Sequence, residues 1–135
     1  MEHSTTIKSA HDGMTLEFFD RGGDRFKVGI RGSHVSGTAS ISSFEPVKSR
    51  LADFFRDLAV HWEGWKGKRE WASLEGDLAL SATSDSTGHI SLQVRLRSGP
   101  YPFDWSLSVT LLIEAGQLER IASDMERFFG HECAA

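Results

Sequence analysis

The sequence predicts an α+β domain of two layers, in which an antiparallel sheet of about six strands is covered on one face by two helices. Apolar residues occupy every second position in six short runs, which is typical of strands with one buried face. In two other segments apolar residues recur at every third or fourth position, which is typical of amphipathic helices. Turn residues separate these segments in the order β-β-β-α-β-β-β-α.

The first three strands follow a polar segment, residues 1–13, that we expect to be a flexible leader. Two alternating runs joined by Arg21-Gly-Gly-Asp24 predict a hairpin, because the glycines accept the positive φ angles of a tight turn. The residues that would share its buried face are Met14, Leu16, Phe18, Phe26, Val28 and Ile30. A weaker strand with small residues follows over residues 35–41.

The first helix is predicted to begin near Pro46, since proline fits the first helical turn, where its missing N–H would have no partner. Ser42 and Glu45 have the spacing of a capping box. The apolar stripe consists of Val47, Leu51, Phe54, Phe55, Leu58, Ala59 and Trp62. Gly64 would end this helix of about four turns and leave Trp62 in the core.

Three further alternating runs predict an antiparallel meander, with turns at Asp85-Ser-Thr-Gly88 and at the proline-containing loop 98–102. The inward-facing residues would be Leu74, Leu78, Leu80, Ala82, Ile90, Leu92, Val94, Leu96, Phe103, Trp105, Leu107, Val109, Leu111 and Ile113. If the first turn spans residues 83–89, Leu80 lies opposite Leu92.

A last amphipathic helix, from Leu118 to Phe129, completes a single domain over residues 14–130, followed by a tail over residues 131–135. The net charge is −4, and the 15 Lys and Arg are scattered among 19 Asp and Glu, which argues against nucleic acid as a partner. No apolar run is long enough to span a membrane, and the lone Cys133 requires no oxidising compartment. We therefore expect a cytoplasmic protein without a cofactor.

Charged residues on the outer side of the meander form the first candidate site. With the register above, Asp77 opposes Arg95 and Glu75 opposes Arg97. Two carboxylates beside two guanidinium groups could bind a polar ligand or exchange protons with it. The alternative is a solvated ladder of ion pairs, each contributing about 0 to 1 kcal/mol to stability.

Histidines provide the second group of candidates. His89 follows the turn at Asp85 and could act as a base, yet no nucleophile motif accompanies it, and a histidine at a strand start also suits a structural bond to the turn. The tail segment His131-Glu-Cys133 has donor atoms suitable for a metal but lacks paired ligands at zinc spacing elsewhere. We predict neither a catalytic residue nor a metal site.

Aromatic residues provide the third group. Trp65 lies between glycines and Trp71 precedes a strand, and together with Tyr101 and Phe103 of the proline-containing loop they could line a ligand pocket or anchor a protein partner. The alternative is that they close the open end of the helix–sheet sandwich.

One stretch resembles a known family. The segment Trp62-Glu-Gly-Trp-Lys-Gly-Lys-Arg-Glu-Trp-Ala-Ser-Leu-Glu75, with Gly88-His-Ile90 and the helix start Glu114-Ala-Gly-Gln-Leu118, is similar to a family of small bacterial proteins of unknown function. The likeness covers roughly residues 14–130, and where members show Thr-His-Asp before the hairpin turn this chain has Thr83-Ser-Asp85. The resemblance implies a small stand-alone domain and carries over no activity, cofactor or catalytic residue.

These observations favour a non-catalytic interaction module, of inhibitor or immunity type, that binds another protein. The alternative is a small-ligand-binding domain whose aromatic pocket lies at Trp65, Trp71 and Tyr101. A third hypothesis is hydrolase or transferase chemistry at His89 with a neighbouring carboxylate.

Overall fold

The predicted class is confirmed, but the strands form two sheets instead of one. The computed structural model describes residues 4–42 and 50–130. The elements are β1 (Thr5–Lys8), β2 (Thr15–Gly22), β3 (Arg25–Arg31), β4 (Ser36–Ser42), α1 (Leu51–Val60), β5 (Arg69–Ala72), β6 (Leu78–Ser84), β7 (His89–Arg97), β8 (Ser106–Glu114) and α2 (Leu118–Phe129). Strands β1 to β4 form one antiparallel four-stranded sheet, sheet 1, and β5 to β8 form a second, sheet 2, each in chain order.

Sheet 1 contains the predicted hairpin and one strand that was not predicted. Leu16 and Phe18 of β2 lie opposite Ile30 and Val28 of β3, and all four are buried. Strand β1 adds to the other side of β2, within the segment expected to be a flexible leader. That expectation is wrong for β1, because the buried side chain of Ile7 joins it to the core.

Sheet 2 contains the predicted meander with a different register. Leu80 lies opposite Val94, and Ala82 is the residue opposite Leu92. Strand β6 begins only at Leu78, because a tight turn precedes it, in which the N–H of Gly76 donates to the carbonyl of Ser73 at 2.9 Å. The fourth strand, β5, was not predicted.

The helices pack on each other and on the apolar faces of the sheets. Buried side chains on α1 include Leu51, Phe55 and Leu58, and those on α2 include Ile121 and Met125. They join the inward faces of both sheets in one core. No helix in the described parts of the chain is long and apolar enough to cross a membrane.

Arg56 links the two helices across their exposed side. Its Nε and Nη2 donate to the carboxylate of Glu126 at 2.9 and 2.8 Å, and its Nη1 donates to Glu119 at 2.8 Å. These bonds raise the pKa of Arg56 above its usual value. The bridge joins α1 to α2 beside their buried contact.

Two core predictions for tryptophans fail. Trp62 is 57% exposed, because α1 ends at Val60 and the chain turns before the tryptophan. Trp105 is 43% exposed, because it precedes β8 and lies at the end of sheet 2. The predicted start of α1 at Pro46, the capping partner Glu45 and the tail 131–135 lie outside the described residues.

Candidate functional site

The side of sheet 2 that faces away from the core carries a trough, which measures about 730 Å³. Residues opposite each other on neighbouring strands point to the same side, so the register arranges the outer side chains in rows. The two rows that line the trough are Ala72, Ala79, Arg95 and Ser108, and Glu70, Ser81, Gln93 and Thr110. The small side chains of β6, Ala79 and Ser81, leave the volume open.

Arg95 is the cation of this trough. Within residues 4–42 and 50–130, no hydrogen bond or ion pair engages its guanidinium group. Glu70, at the far side of the trough, lies 3.7 Å from the ammonium group of Lys68. The trough therefore presents one unpaired positive charge beside neutral hydroxyl and amide groups, with the carboxylate of Glu70 at its far side.

The predicted ladder of carboxylates and guanidiniums is wrong. Ala79, and not Asp77, lies opposite Arg95. The Asp77 side chain is buried, where its Oδ1 accepts a hydrogen bond from the Ser73 hydroxyl at 2.6 Å, and Glu75 lies in the exposed turn before β6. Gly76, which has a φ of 75°, is the signal that could have placed a turn here, since glycine within an alternating run often marks an interruption.

Beyond the trough, residues 98–105 form the aromatic loop. The Arg97 guanidinium donates to the carbonyl of Tyr101 at 2.5 Å, and the Tyr101 N–H donates to the carboxylate of Asp104 at 2.9 Å. At its base, the N–H of Ser98 donates to the carbonyl of Trp105, and the Trp105 N–H donates to the Ser98 hydroxyl, both at 3.1 Å. The loop is thus fixed by its own hydrogen bonds.

The aromatic loop exposes two stacked rings. The rings of Tyr101 and Phe103 lie parallel, with centroids 5.5 Å apart and an interplanar angle of 5°. Phe103 is 84% exposed and Tyr101 is 59% exposed. Phe103 was expected to face inward with β8, but it precedes that strand and points to solvent.

Trp105 and Leu107 lie on the other side of the same end of sheet 2, against β4. A side chain at Gly37 would come within 3.1 Å of Leu107 and 3.4 Å of the Trp105 ring. Glycine at this position therefore lets the two sheets approach each other.

The predicted pocket of Trp65, Trp71 and Tyr101 is not assembled. Trp71 is buried on β5, opposite Leu80. Trp65 is partly buried, and its indole N–H donates to the carbonyl of Ala82 at 3.1 Å. Trp65 bonds Ala82, which lies opposite Leu92, whereas Tyr101 is bonded by Arg97. Leu92 and Arg97 are five residues apart along β7, so Trp65 and Tyr101 are anchored about 16 Å from each other.

The pairing of His89 with Asp85 is present and belongs to a turn. The His89 ring places Nδ1 2.8 Å from the Thr87 hydroxyl and 3.5 Å from Asp85, and Nε2 3.5 Å from Glu114. The Asp85 carboxylate accepts from the backbone N–H groups of His89 and Thr87, which lowers its pKa to about 2. Glu114 was missed by sequence reasoning, because only the β7–β8 register places it opposite His89.

This arrangement is a hydrogen-bonded turn on an exposed surface. Asp77 and Glu75 lie at the opposite end of β6 from Asp85, so the structure does not bring these two carboxylates to His89. Among the residues that the structure describes, no three His, Cys, Asp or Glu side chains are placed to hold a metal ion. The predicted donors of His131-Glu-Cys133 lie outside those residues.

Comparison with known proteins identifies a family but no function. A family model described as a family of unknown function (DUF6228) matches residues 7–132, in agreement with the resemblance to a family of unknown function noted in the sequence. No curated protein and no solved structure matches the chain.

Proposed function

Because the chain belongs to DUF6228, a family of unknown function, we propose its role from its own surface: it is a non-catalytic protein-interaction module that contacts its partner through the aromatic loop. The observation that carries this proposal is the exposed, stacked pair of Tyr101 and Phe103 on a loop fixed by hydrogen bonds. Exposed aromatic residues of this kind are typical of the residues that dominate binding energy in protein interfaces.

The energetics of the loop support binding to a protein. Covering one phenylalanine side chain contributes about 1.5 to 3 kcal/mol. The bonds at Arg97, Asp104 and Ser98 already hold the loop in one shape, so association would cost less conformational entropy than it would with a flexible loop.

An inhibitor or immunity type of module fits the small size of the domain. A chain of 135 residues that exposes the aromatic loop could act by covering part of a larger partner. The partner would then present a hydrophobic surface that receives both rings.

A capture experiment with the immobilised chain and a lysate of the source organism tests the proposal. The double variant Tyr101→Ser/Phe103→Ser removes both rings, and Leu74→Ser is the matched control, since Leu74 is 58% exposed in the turn before β6. We expect one partner to be retained by the wild type and the control, and the double variant to bind it at least about tenfold more weakly.

Two results would contradict the proposal. One is retention of background proteins alone by wild-type bait at micromolar concentration. The other is equal retention of the partner by the wild type and by a double variant that circular dichroism shows to be folded.

A further inference from the structure

The trough and the aromatic loop form one continuous surface. Arg95 and Arg97 are successive outward-facing residues of β7, and they lie opposite Ser108 and Ser106 of β8. Arg95 lines the trough, while Arg97 bonds the backbone of the aromatic loop at Tyr101. A partner held by the stacked rings would therefore extend over the trough.

The charge of the trough favours a carboxylate. Arg95 is unpaired among the described residues and faces outward from the sheet. A guanidinium group binds a carboxylate through two parallel hydrogen bonds, and the Ser108 and Thr110 hydroxyls in the adjoining positions can donate to the same oxygens. A doubly charged phosphate would fit less well, because the trough offers one unpaired cation and also contains the carboxylate of Glu70.

The shape of the trough favours an extended polypeptide. It crosses all four strands of sheet 2, a width of about 14 Å, and is open to solvent along that width. Small-molecule sites usually enclose most of the ligand surface, which an open trough does not do. A peptide segment could cover it from one side.

We propose that the trough receives an extended, acidic segment of the partner protein, and that Arg95 binds a carboxylate of that segment. This inference rests on the proposed function, because the stacked rings would bring the partner to this face. Arg95 then selects for an acidic segment, while the aromatic loop supplies apolar contact.

Peptide titration of the isotope-labelled chain tests the trough without the partner. The probe is Ac-Ser-Ser-Glu-Ser-Ser-NH₂, which carries one carboxylate, and its uncharged match is Ac-Ser-Ser-Gln-Ser-Ser-NH₂. We expect the acidic probe to shift the backbone amide signals of residues 93–95 and 108–110. Arg95→Gln should weaken this binding at least about tenfold, and Arg95→Lys should weaken it less, because an ammonium group keeps the charge but loses the paired bonds.

Arg120→Gln is the control variant. Arg120 lies on α2 with an 87% exposed side chain, so the substitution removes the same charge from another surface. We expect it to leave the affinity for the acidic probe within about twofold of the wild type, since exposed charges at long range are screened by salt.

Four outcomes would overturn the inference: no shifts with the acidic probe, equal binding of the glutamine probe, equal weakening by Arg120→Gln, or tighter binding of inorganic phosphate or free glutarate at the same amides. The capture assay separates this inference from the proposed function. If the Tyr101→Ser/Phe103→Ser variant loses the partner and the wild type does not bind the peptide, the inference about the trough is wrong and the proposed role of the aromatic loop stands. If Arg95→Gln loses peptide binding but the partner binds the loop variant as tightly as the wild type, the trough binds acidic peptides and the proposed role of the aromatic loop is wrong.

Discussion

The two sheets share one strand order and one antiparallel pattern, yet their outer faces differ in the side chains that fill them. On sheet 1 the Phe19 ring lies over Gly29, and the remaining hollow measures about 80 Å³. On sheet 2 the outward positions of β6 are the small residues Ala79 and Ser81, and the trough measures about 730 Å³. The size of a few side chains, and not topology, determines how much open volume each outer face offers.

The cations of the two faces differ less than the volumes do. On sheet 1 Arg25 donates to the hydroxyl and carbonyl of Ser40, and Lys27 lies 3.4 Å from Asp20. On sheet 2 the guanidinium group of Arg95 has no partner within the described residues. Arg31, which borders the hollow of sheet 1, also has no partner within those residues, so the open volume beside the cation, and not the lack of a partner alone, distinguishes the two faces.

The largest effect on stability is expected when the buried Trp71 side chain beneath the trough is removed. Trp71→Ala leaves a cavity under β5 and should destabilise the chain by about 3 to 5 kcal/mol in denaturant unfolding. Trp62→Ala is the matched control, because that indole is 57% exposed, and it should change stability by about 0.5 kcal/mol or less. Similar losses in the two variants would contradict the assignment of Trp71 to the core and Trp62 to the surface.

A smaller effect is expected at the turn that sets the register of the trough. Asp77→Ala leaves the buried Ser73 hydroxyl without its acceptor and should cost about 1 to 3 kcal/mol in free energy of unfolding. Glu75→Ala, in the exposed part of the same turn, should change it by about 0.5 kcal/mol or less. Equal unfolding midpoints for the two variants would show that the buried bond does not stabilise the turn.

The strands with sustained alternation were predictable from the sequence. The β2–β3 hairpin and the meander of β6 to β8 each carry several apolar residues at every second position, which specifies the buried face. Strands β1 and β5 have four residues each and depend mainly on Ile7 and Trp71 for core burial, so they give too little periodicity to be recognised.

The surface was less predictable, because it depends on register and on where elements end. Arg95 and Tyr101 were both candidates, but a shift of two residues in the β6–β7 pairing replaced the expected Asp77 partner of Arg95 by Ala79. Small residues such as Ala79 and Ser81 carry no sequence signal for a trough. The apolar spacing also continues past α1 to Trp62, which explains its wrong placement in the core.

Two substitutions that remove a large side chain from the outer face of sheet 1 and add one to that of sheet 2 test the comparison between the faces. Phe19→Ala removes the ring that covers Gly29 and should destabilise sheet 1 by about 1 kcal/mol. Ala79→Phe should occupy the trough and abolish binding of the acidic peptide, while stability stays within about 0.5 kcal/mol, because the added ring points away from the core. Peptide binding that survives in a folded Ala79→Phe variant would place the binding site elsewhere.

The smallest expected effect is a difference between the hairpin turns of the two sheets in how their contribution to stability depends on pH. The turn of sheet 1 uses Gly23 at a φ of 58°, whereas the turn of sheet 2 uses the Asp85 carboxylate as an acceptor. The folded pKa of Asp85 is about 2, below its usual 3.8, so its contribution to stability is fully present above pH 3.8 and is lost as the pH falls through about 2. The difference in melting temperature between the wild type and Asp85→Ala should therefore be constant at neutral pH and shrink between about pH 4 and pH 2. Asp85→Asn keeps an acceptor that does not titrate, so the difference in melting temperature between Asp85→Asn and Asp85→Ala should not change over that range. If the difference between the wild type and Asp85→Ala also stays constant from about pH 4 to pH 2, the carboxylate is not the group that stabilises this turn.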